Sequence, residues 1–405
     1  MAKAKKALVI GCGIAGPAVA MFLKRAGLEP RMFEAKEAPD DYAGLFLNVA
    51  MNGMAVLEEL GVDGEIRREG IEMRAMSFRS GRGKFLGTVG DRAGKPQGYT
   101  VKRGFLHQVL REAALREGIR AEFGKRLVHV RMSERGVTAV FDDGTSAEGD
   151  VLIGCDGIHS RIRRLTLPDA PEPAYTGLIS FGGFARGVKV PHEPGIQHMV
   201  FGKKAFFGYM VRGDGEIWWF GNLDVPGSPT RQELQAIPQE EWRRVIDGLY
   251  GGELQPVPDI IRATKGEIGV YPIYDMLSVP SWHSGRTALI GDAIHATSPN
   301  AGQGASLALE DALALAKCLR DFGSPEEAFR QFERLRRERV EKIVKYSRSI
   351  GQRKHATHPV QVFFRDLMLP VFLKQAGRQS QAWIHDYRLS WEDRAAADQA
   401  ASYRA

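Results

Sequence analysis

Residues 7–11 (ALVIG) form a short unbroken apolar run, the pattern of a strand buried on both faces. A glycine-rich turn follows, then residues 14–25 with apolar positions at helical spacing, then a second strand at 29–34. Strand, turn, helix and strand open a doubly wound parallel sheet, so the chain reads as an α/β protein. Residues 103–117 (RGFLHQVLREAALRE) place Phe105, Leu106, Val109, Leu110 and Leu115 at helical spacing. Three short alternating runs come next, RLVHVRMS, GVTAVFDD and GTSAEGD, separated by Gly136 and the turn Asp142-Asp143-Gly144. They predict an antiparallel three-stranded meander. The run VLIGCDG at 151–157 is unbroken again and predicts a return to the parallel sheet.

From about residue 170 to 280 the rhythm changes to aromatic strands: LISFGGFARG, AFFGYMV and EIWWFGNL, the last two joined by Arg212-Gly213-Asp214-Gly215. These predict a second, mostly antiparallel sheet. A strand at 287–291 then rejoins the first unit and leads into a helix over about 302–319. Another helix begins at Ser324-Pro325-Glu326-Glu327, a capping box with proline at the first helical position. The expected organisation is a discontinuous first domain of residues 1–170 and 281–350. A second domain spans 171–280, and a helical region spans 351–405.

Composition narrows the class. Among 405 residues, 43% are hydrophobic and 26% charged, which is a globular balance rather than a disordered or membrane-embedded one. The net charge of +7 suits anionic ligands. The densest basic cluster, Arg334, Arg336, Arg337 and Arg339, alternates with Glu333, Glu338 and Glu341. That pattern reads as a solvated helix face, and no nucleic-acid partner is expected. Cys12, Cys155 and Cys318 are too few and too scattered for a disulfide framework or a metal site, so a cytoplasmic setting is expected. Lys3, Lys5 and Lys6 before ALVIGCGIAGPAVAMFL imitate a secretory leader, but three glycines and Pro17 interrupt the run. No stretch approaches the roughly 20 apolar residues that span a bilayer, and no membrane partner is expected.

Three motifs carry chemistry. In GCGIAG, Gly11 permits a tight turn, Gly13 lets a pyrophosphate approach the backbone, and Gly16 lets helix and strand pack closely. Amides around Ile14 and Ala15 then face the diphosphate. Glu34 closes the second strand 18 residues after Gly16, near the ~20 at which an acid meets a ribose hydroxyl. An adenine dinucleotide follows, but this motif alone leaves NAD and FAD both open. The second motif is Asp156-Gly157-Ile158-His159-Ser160-Arg161-Ile162-Arg163, directly after a buried strand. It reads as a capped turn with two arginines at a polar sheet edge. The third is TALIGDAIHATSPNAGQGASLALEDA at 287–312. Asp292 there can accept hydrogen bonds from sugar-like hydroxyls, and the loop Pro299–Gly304 presents small residues and free amides at a helix start. His295 invites a reading as a base, yet a structural role is favoured.

Together the three motifs resemble the single-component FAD-dependent aromatic hydroxylases, of the p-hydroxybenzoate hydroxylase and tetracycline monooxygenase type, over roughly residues 6–345. The resemblance implies a Rossmann-like FAD-binding domain with an inserted β-sheet substrate domain and C-terminal helices. It assigns Glu34 to the adenosine ribose, Asp292 to the ribityl chain and Arg103 to the flavin. The backbone near Leu127 goes to the adenine, Asp156 helps to organise the flavin and nicotinamide sites, and Pro299, Gly302 and Gly304 flank the isoalloxazine. Two departures are Ile294, where a small residue is usual, and Ala35, which displaces the usual basic residue to Lys36. NADPH or NADH would be the transient reductant, and dioxygen would supply one atom to a small aromatic or polyketide-like substrate. The protein would be a monomer or weak homo-oligomer. No side chain is singled out as an acid or base, because the cofactor carries the hard chemistry.

Other readings were weighed. An NAD(P)-dependent dehydrogenase would use the first motif and leave the third without a task. A non-enzymatic protein on the same fold would not need the flavin motifs. A halogenase would carry a Trp-x-Trp-x-x-Pro motif, which is missing. Alternation along AFFGYMV places Phe207 and Tyr209 on one face, expected to line the substrate cavity, and Phe206 on the other, expected in the domain core.

Overall fold

A computed structural model describes residues 5–41, 44–91, 94–190, 193–352, 367–370, 373 and 382–395. Six strands form the first sheet, in the order His283–Ser284, Thr287–Leu289, Val151–Gly154, Lys6–Ile10, Glu29–Phe33 and Arg120–Glu122. All pair in parallel except His283–Ser284. Ala7, Leu8 and Val9 are fully buried, as are Val151, Leu152 and Ile153, which is why these strands read as unbroken apolar runs. The helices Ala15–Arg25 and Gly304–Asp321 pack together beside the sheet. Gly304–Asp321 is enclosed almost all round, and Leu307, Leu309, Leu313 and Leu315 are fully buried. The meander forms as expected, from Leu127–Met132, Val137–Phe141 and Ser146–Gly149.

The aromatic runs build a seven-stranded sheet, ordered Gly269–Asp275, Ala174–Ala185, Ile217–Asp224, Phe206–Val211, Ile196–Phe201, Ala75–Ser80 and Phe85–Gly90. Its last two strands come from well before residue 171, so the segment 171–280 does not contain the whole sheet. Ala75–Ser80 joins through parallel pairing with Ile196–Phe201, a long-range contact with no local signature. A small sheet of Phe46–Ala50, Gly98–Lys102 and Ile71–Met73 lies between the two units.

The two faces of the aromatic sheet differ from expectation. Phe207, Tyr209, Trp219 and Phe181 pack with Trp242, Ile246 and Tyr250 of the helix Gln239–Tyr250 and with Ile260 of the helix Val257–Ala263. Phe207 is fully buried, stacked on Trp219 at 5.4 Å and edge-on to Tyr250 at 5.2 Å. Tyr209 beside it stacks on His198 at 4.7 Å. The assignment of Phe207 and Tyr209 to a substrate wall is therefore reversed. Alternation was read correctly, but which face the helices cover is decided by a segment downstream of the strands. Phe206 sits on the opposite face with Phe220 and Phe201.

The expected solvated arginine face also needs correction. In the helix Pro325–Gln352, Arg337 does pair outward with Glu333 and Glu341. Arg336, however, is fully buried, one turn from Phe332 and one from Val340 on the apolar stripe. Beyond this helix, the short helix Ala382–His385 leads to Trp391, which stacks on Phe22 at 5.6 Å. The buried Lys317 donates to the Ser390 carbonyl at 2.7 Å, tying this segment to the long helix. Most of the expected helical region 351–405 lies outside the described residues.

Candidate flavin site

The site begins at the glycine turn. Gly11 has φ +105°, and a side chain there would collide with the Cys155 carbonyl. A side chain at Gly16 would collide with the Gly11 carbonyl, whereas Gly13 between them faces open space. The outer glycines let strand and helix close up, and the middle one leaves bare backbone. Ile14 gives the helix Ala15–Arg25 no side-chain cap, so its first amides remain available to an anion.

Glu34 lies just past the second strand. It accepts the Cys12 amide at 2.8 Å and the Lys36 amide at 3.0 Å, which fixes its carboxylate against the turn. Burial, helped by Glu34, pushes the Cys12 thiol up to about 12, so Cys12 is no nucleophile. The Lys36 ammonium is exposed and pairs with Asp40 at 2.8 Å. Arg103 opens the helix Arg103–Arg116, exposed and without a hydrogen bond from its guanidinium among the described residues. Leu127 is buried at the head of the meander, opposite Phe141.

Asp156 turns its carboxylate onto its own helix. It accepts Ser160 Oγ at 2.6 Å and the amides of Arg161 and Ile162 at 2.8 and 3.1 Å. Burial raises its carboxyl, against the pull of those bonds. Asp156 therefore supports the site by holding the turn. The paired arginines divide. Arg161 stays exposed, while Arg163 is buried and donates to the carbonyls of Ala293 at 2.7 Å and Ile158 at 2.9 Å. Arg163 thus ties the second motif to the third and is not free for an anion.

In the third motif, Asp292 is exposed and forms no hydrogen bond among the described residues. Ile294 after it is buried in the main core. Pro299–Ala301 make one 3-10 turn, and Gly302 follows with φ +63°. A Cβ on Gly302 would lie 3.2 Å from Asn48 Nδ2, so the loop presses on the strand Phe46–Ala50. Gly304 starts its helix with no side-chain cap from Gln303. Asn48 Oδ1 and Gln303 Nε2 are buried there without a protein partner.

Gly291 brings the motifs together. A Cβ on it would lie 3.0 Å from that of Ala308 and 3.6 Å from that of Ala15, so the first and third motifs touch. Gly11 against Cys155 and Asp156 adds the second. Two uncapped helix ends lie at these motifs, with the Glu34 carboxylate against the glycine turn and Asp292 unpaired among the described residues. These donors and acceptors fit a diphosphate, a polyol chain and a flat ring with an acceptor edge. A family described as FAD binding domain matches residues 4–347.

The chain belongs to the FAD-dependent aromatic hydroxylases. It is 30% identical over 348 residues to a FAD-dependent urate hydroxylase of Klebsiella pneumoniae, covering 84% of this chain and 88% of that one. It is 28% identical to the aurachin C monooxygenase/isomerase of Stigmatella aurantiaca, covering 85% and 88%. The structure of Klebsiella pneumoniae HpxO complexed with FAD and uric acid matches with a TM-score of 0.79 at 26% identity, covering 94% of this chain and 95% of that one. The cofactor of this flavoprotein is FAD, and the dehydrogenase and non-enzymatic readings fall away.

Sequence reasoning missed a buried polar network behind the flavin loop. Asn52 Nδ2 donates to Gln303 Oε1 at 2.9 Å and Glu310 Oε1 at 2.6 Å. Glu310 pairs with Arg336 at 2.5 Å and Arg339 at 2.9 Å, and Asp311 accepts Arg336 Nε at 2.8 Å. His295 is buried, and its Nε2 bonds Asp311. Burial works to raise the Glu310 and Asp311 carboxyls. Arg336 and Arg339 prevail at Glu310, and His295 and Arg336 at Asp311, so both lie below the ordinary carboxylate range. The available signal was the acid pair Glu310-Asp311 inside an apolar helix, where isolated charges would be too costly. Also missed was Arg111, which clamps Asp41 at 2.5 and 3.0 Å beside the glycine turn. No cluster with metal-ligand character occurs among the described residues, and no helix among them is long and apolar enough to cross a membrane.

Proposed function

We propose that this flavoprotein inserts one atom of dioxygen into a small, flat aromatic or nitrogen-heterocyclic molecule at the expense of NADH or NADPH. The observation that carries this is the apolar sheet face turned toward the flavin loop. Phe46 sits against Trp218 at 5.5 Å, Phe220 at 6.1 Å and Phe184 at 6.2 Å. Two positions further on, Asn48 abuts Gly302. An aromatic wall and the flavin loop therefore share one strand, which suits a ring-shaped substrate.

When bound, FAD supplies the activation of dioxygen, and the side chains bind, orient and exclude water. The diphosphate belongs at Gly11, Gly13, Ala15 and Gly16, the adenosine ribose at Glu34 with Lys36 nearby, and the adenine against the Leu127 backbone. Asp292 would take the ribityl hydroxyls, Arg103 would reach the flavin, and Pro299, Gly302 and Gly304 would border the ring. The free amides at Gly304 would stabilise negative charge on a ring edge placed against them. Asn48 and Gln303 present the unpaired polar atoms that such an edge would satisfy. Asp156 acts by holding its turn, and the exposed Arg161 and Arg164 beside His159 are available to a transient dinucleotide. Tyr271 and Leu45 both close over Gly269, with Arg231 over the Tyr271 ring at 5.4 Å. Burial keeps its phenol protonated, so it can donate to a substrate oxygen or nitrogen.

The free cysteines fit a cytoplasmic enzyme, and we take it to be a monomer or weak homo-oligomer with residues 1–170 and 281–350 as the FAD unit. The test is substrate-stimulated NAD(P)H oxidation across purines, hydroxypyridines, aminobenzoates, quinolines and phenols, with labelled dioxygen traced into the product. Oxidation that no compound accelerates, with no label transferred, would reject the reading.

A further inference from the structure

Three segments that the flavin site does not use meet at one corner of the aromatic sheet. They are the turn between Ala75–Ser80 and Phe85–Gly90, the turn between Ile196–Phe201 and Phe206–Val211, and residues 251–254 after the helix Gln239–Tyr250. Their contacts are fixed by backbone. The Gly81 amide donates to the Phe201 carbonyl at 2.8 Å. The buried Glu253 accepts the Lys203 amide at 2.8 Å, and a Cβ on Gly83 would lie 2.8 Å from Leu254 Cδ1. Lys203 and Lys204 reach back to the carbonyls of Gly252 and Gly248 at 3.1 and 2.9 Å.

The corner is strongly basic. Arg79, Arg82, Lys84, Lys203 and Lys204 are all exposed, and none pairs with a carboxylate among the described residues. Of the acids near it, Glu253 is turned inward, Asp247 is exposed one turn back on the helix, and Glu193 shares the surroundings of Tyr209 with Arg79. Phe85 and Leu254 project between the cations, 53% and 56% exposed. Five cations thus surround two exposed apolar side chains at this corner.

We propose that this corner docks the protein reversibly on an anionic lipid surface, with the cations at the headgroups and Phe85 and Leu254 entering the interface. A membrane of this kind is negative and offers hydrocarbon just below its charges, which matches both features of the patch. An acidic protein or a nucleic acid would match the charge but would leave Leu254 without a role. The docking is peripheral, no helix among the described residues being long and apolar enough to cross a bilayer, and it revises the expectation of no membrane partner.

The FAD-loaded full-length protein should cosediment with vesicles of phosphatidylcholine and phosphatidylglycerol at low salt, and not with phosphatidylcholine alone. Binding should fall about 5-fold for each cation removed in Lys203→Ala and Lys204→Ala, and should be lost at high salt. Phe85→Ser and Leu254→Ser, at unchanged net charge, should each weaken it further, with flavin content and Tm preserved. No sedimentation with anionic vesicles would overturn the proposal. So would binding insensitive to all four variants, or retention on heparin without vesicle binding, which would assign the surface to a soluble polyanion.

Discussion

The Gly291 amide donates to the Asp311 carboxylate at 3.0 Å, so a buried helix side chain holds the residue that precedes Asp292. The same carboxylate is held by His295 and Arg336, and Arg336 continues to Glu310. Arg336 thus neutralises two buried acids at once. Arg336→Met should cost about 3–5 kcal/mol, because it strands uncompensated charge rather than merely deleting a contact. Urea unfolding of the FAD-loaded protein measures this, and a cost under about 1 kcal/mol would mean the acids find other partners.

Asp292→Ala should weaken FAD binding far more than it weakens the fold. Its exposed carboxylate has no protein hydrogen bond to lose among the described residues, so the loss falls on the ribityl contact, about 1.5–3 kcal/mol or roughly 10–100-fold in Kd. His295→Ala should do the reverse and lower Tm through its buried Asp311 bond. Flavin fluorescence titration and melting of both variants separate the two roles. Equal losses of flavin would remove the distinction.

Much of this was legible in the chain because the signals are local. Unbroken apolar runs marked the parallel strands, and Gly11, Gly13 and Gly16 marked the turn, since a side chain at the first or third would collide with backbone. Asp292 was legible from its place between a strand and a glycine-rich loop. What was not legible depends on distant segments. The strands at 75–90 reveal their sheet only through pairing with residues 196–201. Arg336 looked solvated because charged residues surround it in the sequence, and only its position between Phe332 and Val340 betrayed the buried stripe. Which side of the aromatic sheet is covered is set by Trp242, Ile246 and Tyr250, which lie downstream of the aromatic strands. Period-2 alternation assigns two faces but never says which is covered.

Stability should fall in mild acid through His107. Its Nε2 is buried without a partner, and burial, aided by Arg103 and Lys36, lowers its pKa to about 4. The unfolded chain takes up that proton near 6.5. The folded pKa is thus the lower one, so this contribution is complete above 6.5 and is lost as pH falls from 6.5 toward 4, by about 3 kcal/mol at the end. Wild type and His107→Leu, unfolded in urea across this window, should differ in slope by nearly one proton. Parallel slopes would place the acid sensitivity in other groups.

Phe207 and Phe220 should behave as opposites, with Phe207 in the core position that had been expected of Phe206. Phe207 is fully buried between Trp219 and Tyr250, under the helix Gln239–Tyr250. Phe207→Ala should cost about 3–5 kcal/mol with little local collapse, since both neighbours are large and held in place. Trp219 bonds Thr264 at 2.8 Å and Tyr250 bonds the Phe206 carbonyl at 2.6 Å, so neither is free to refill the space. Turnover by the remaining folded protein should stay near normal. Phe220 is only partly buried, on the face that meets Phe46 at 6.1 Å. Phe220→Ala should keep flavin content, cost less stability, and change KM and substrate-stimulated NAD(P)H oxidation. Melting curves and steady-state kinetics on the same preparations decide between the faces. A Phe207→Ala variant that keeps its Tm but loses substrate response would return the cavity to the helix-covered side.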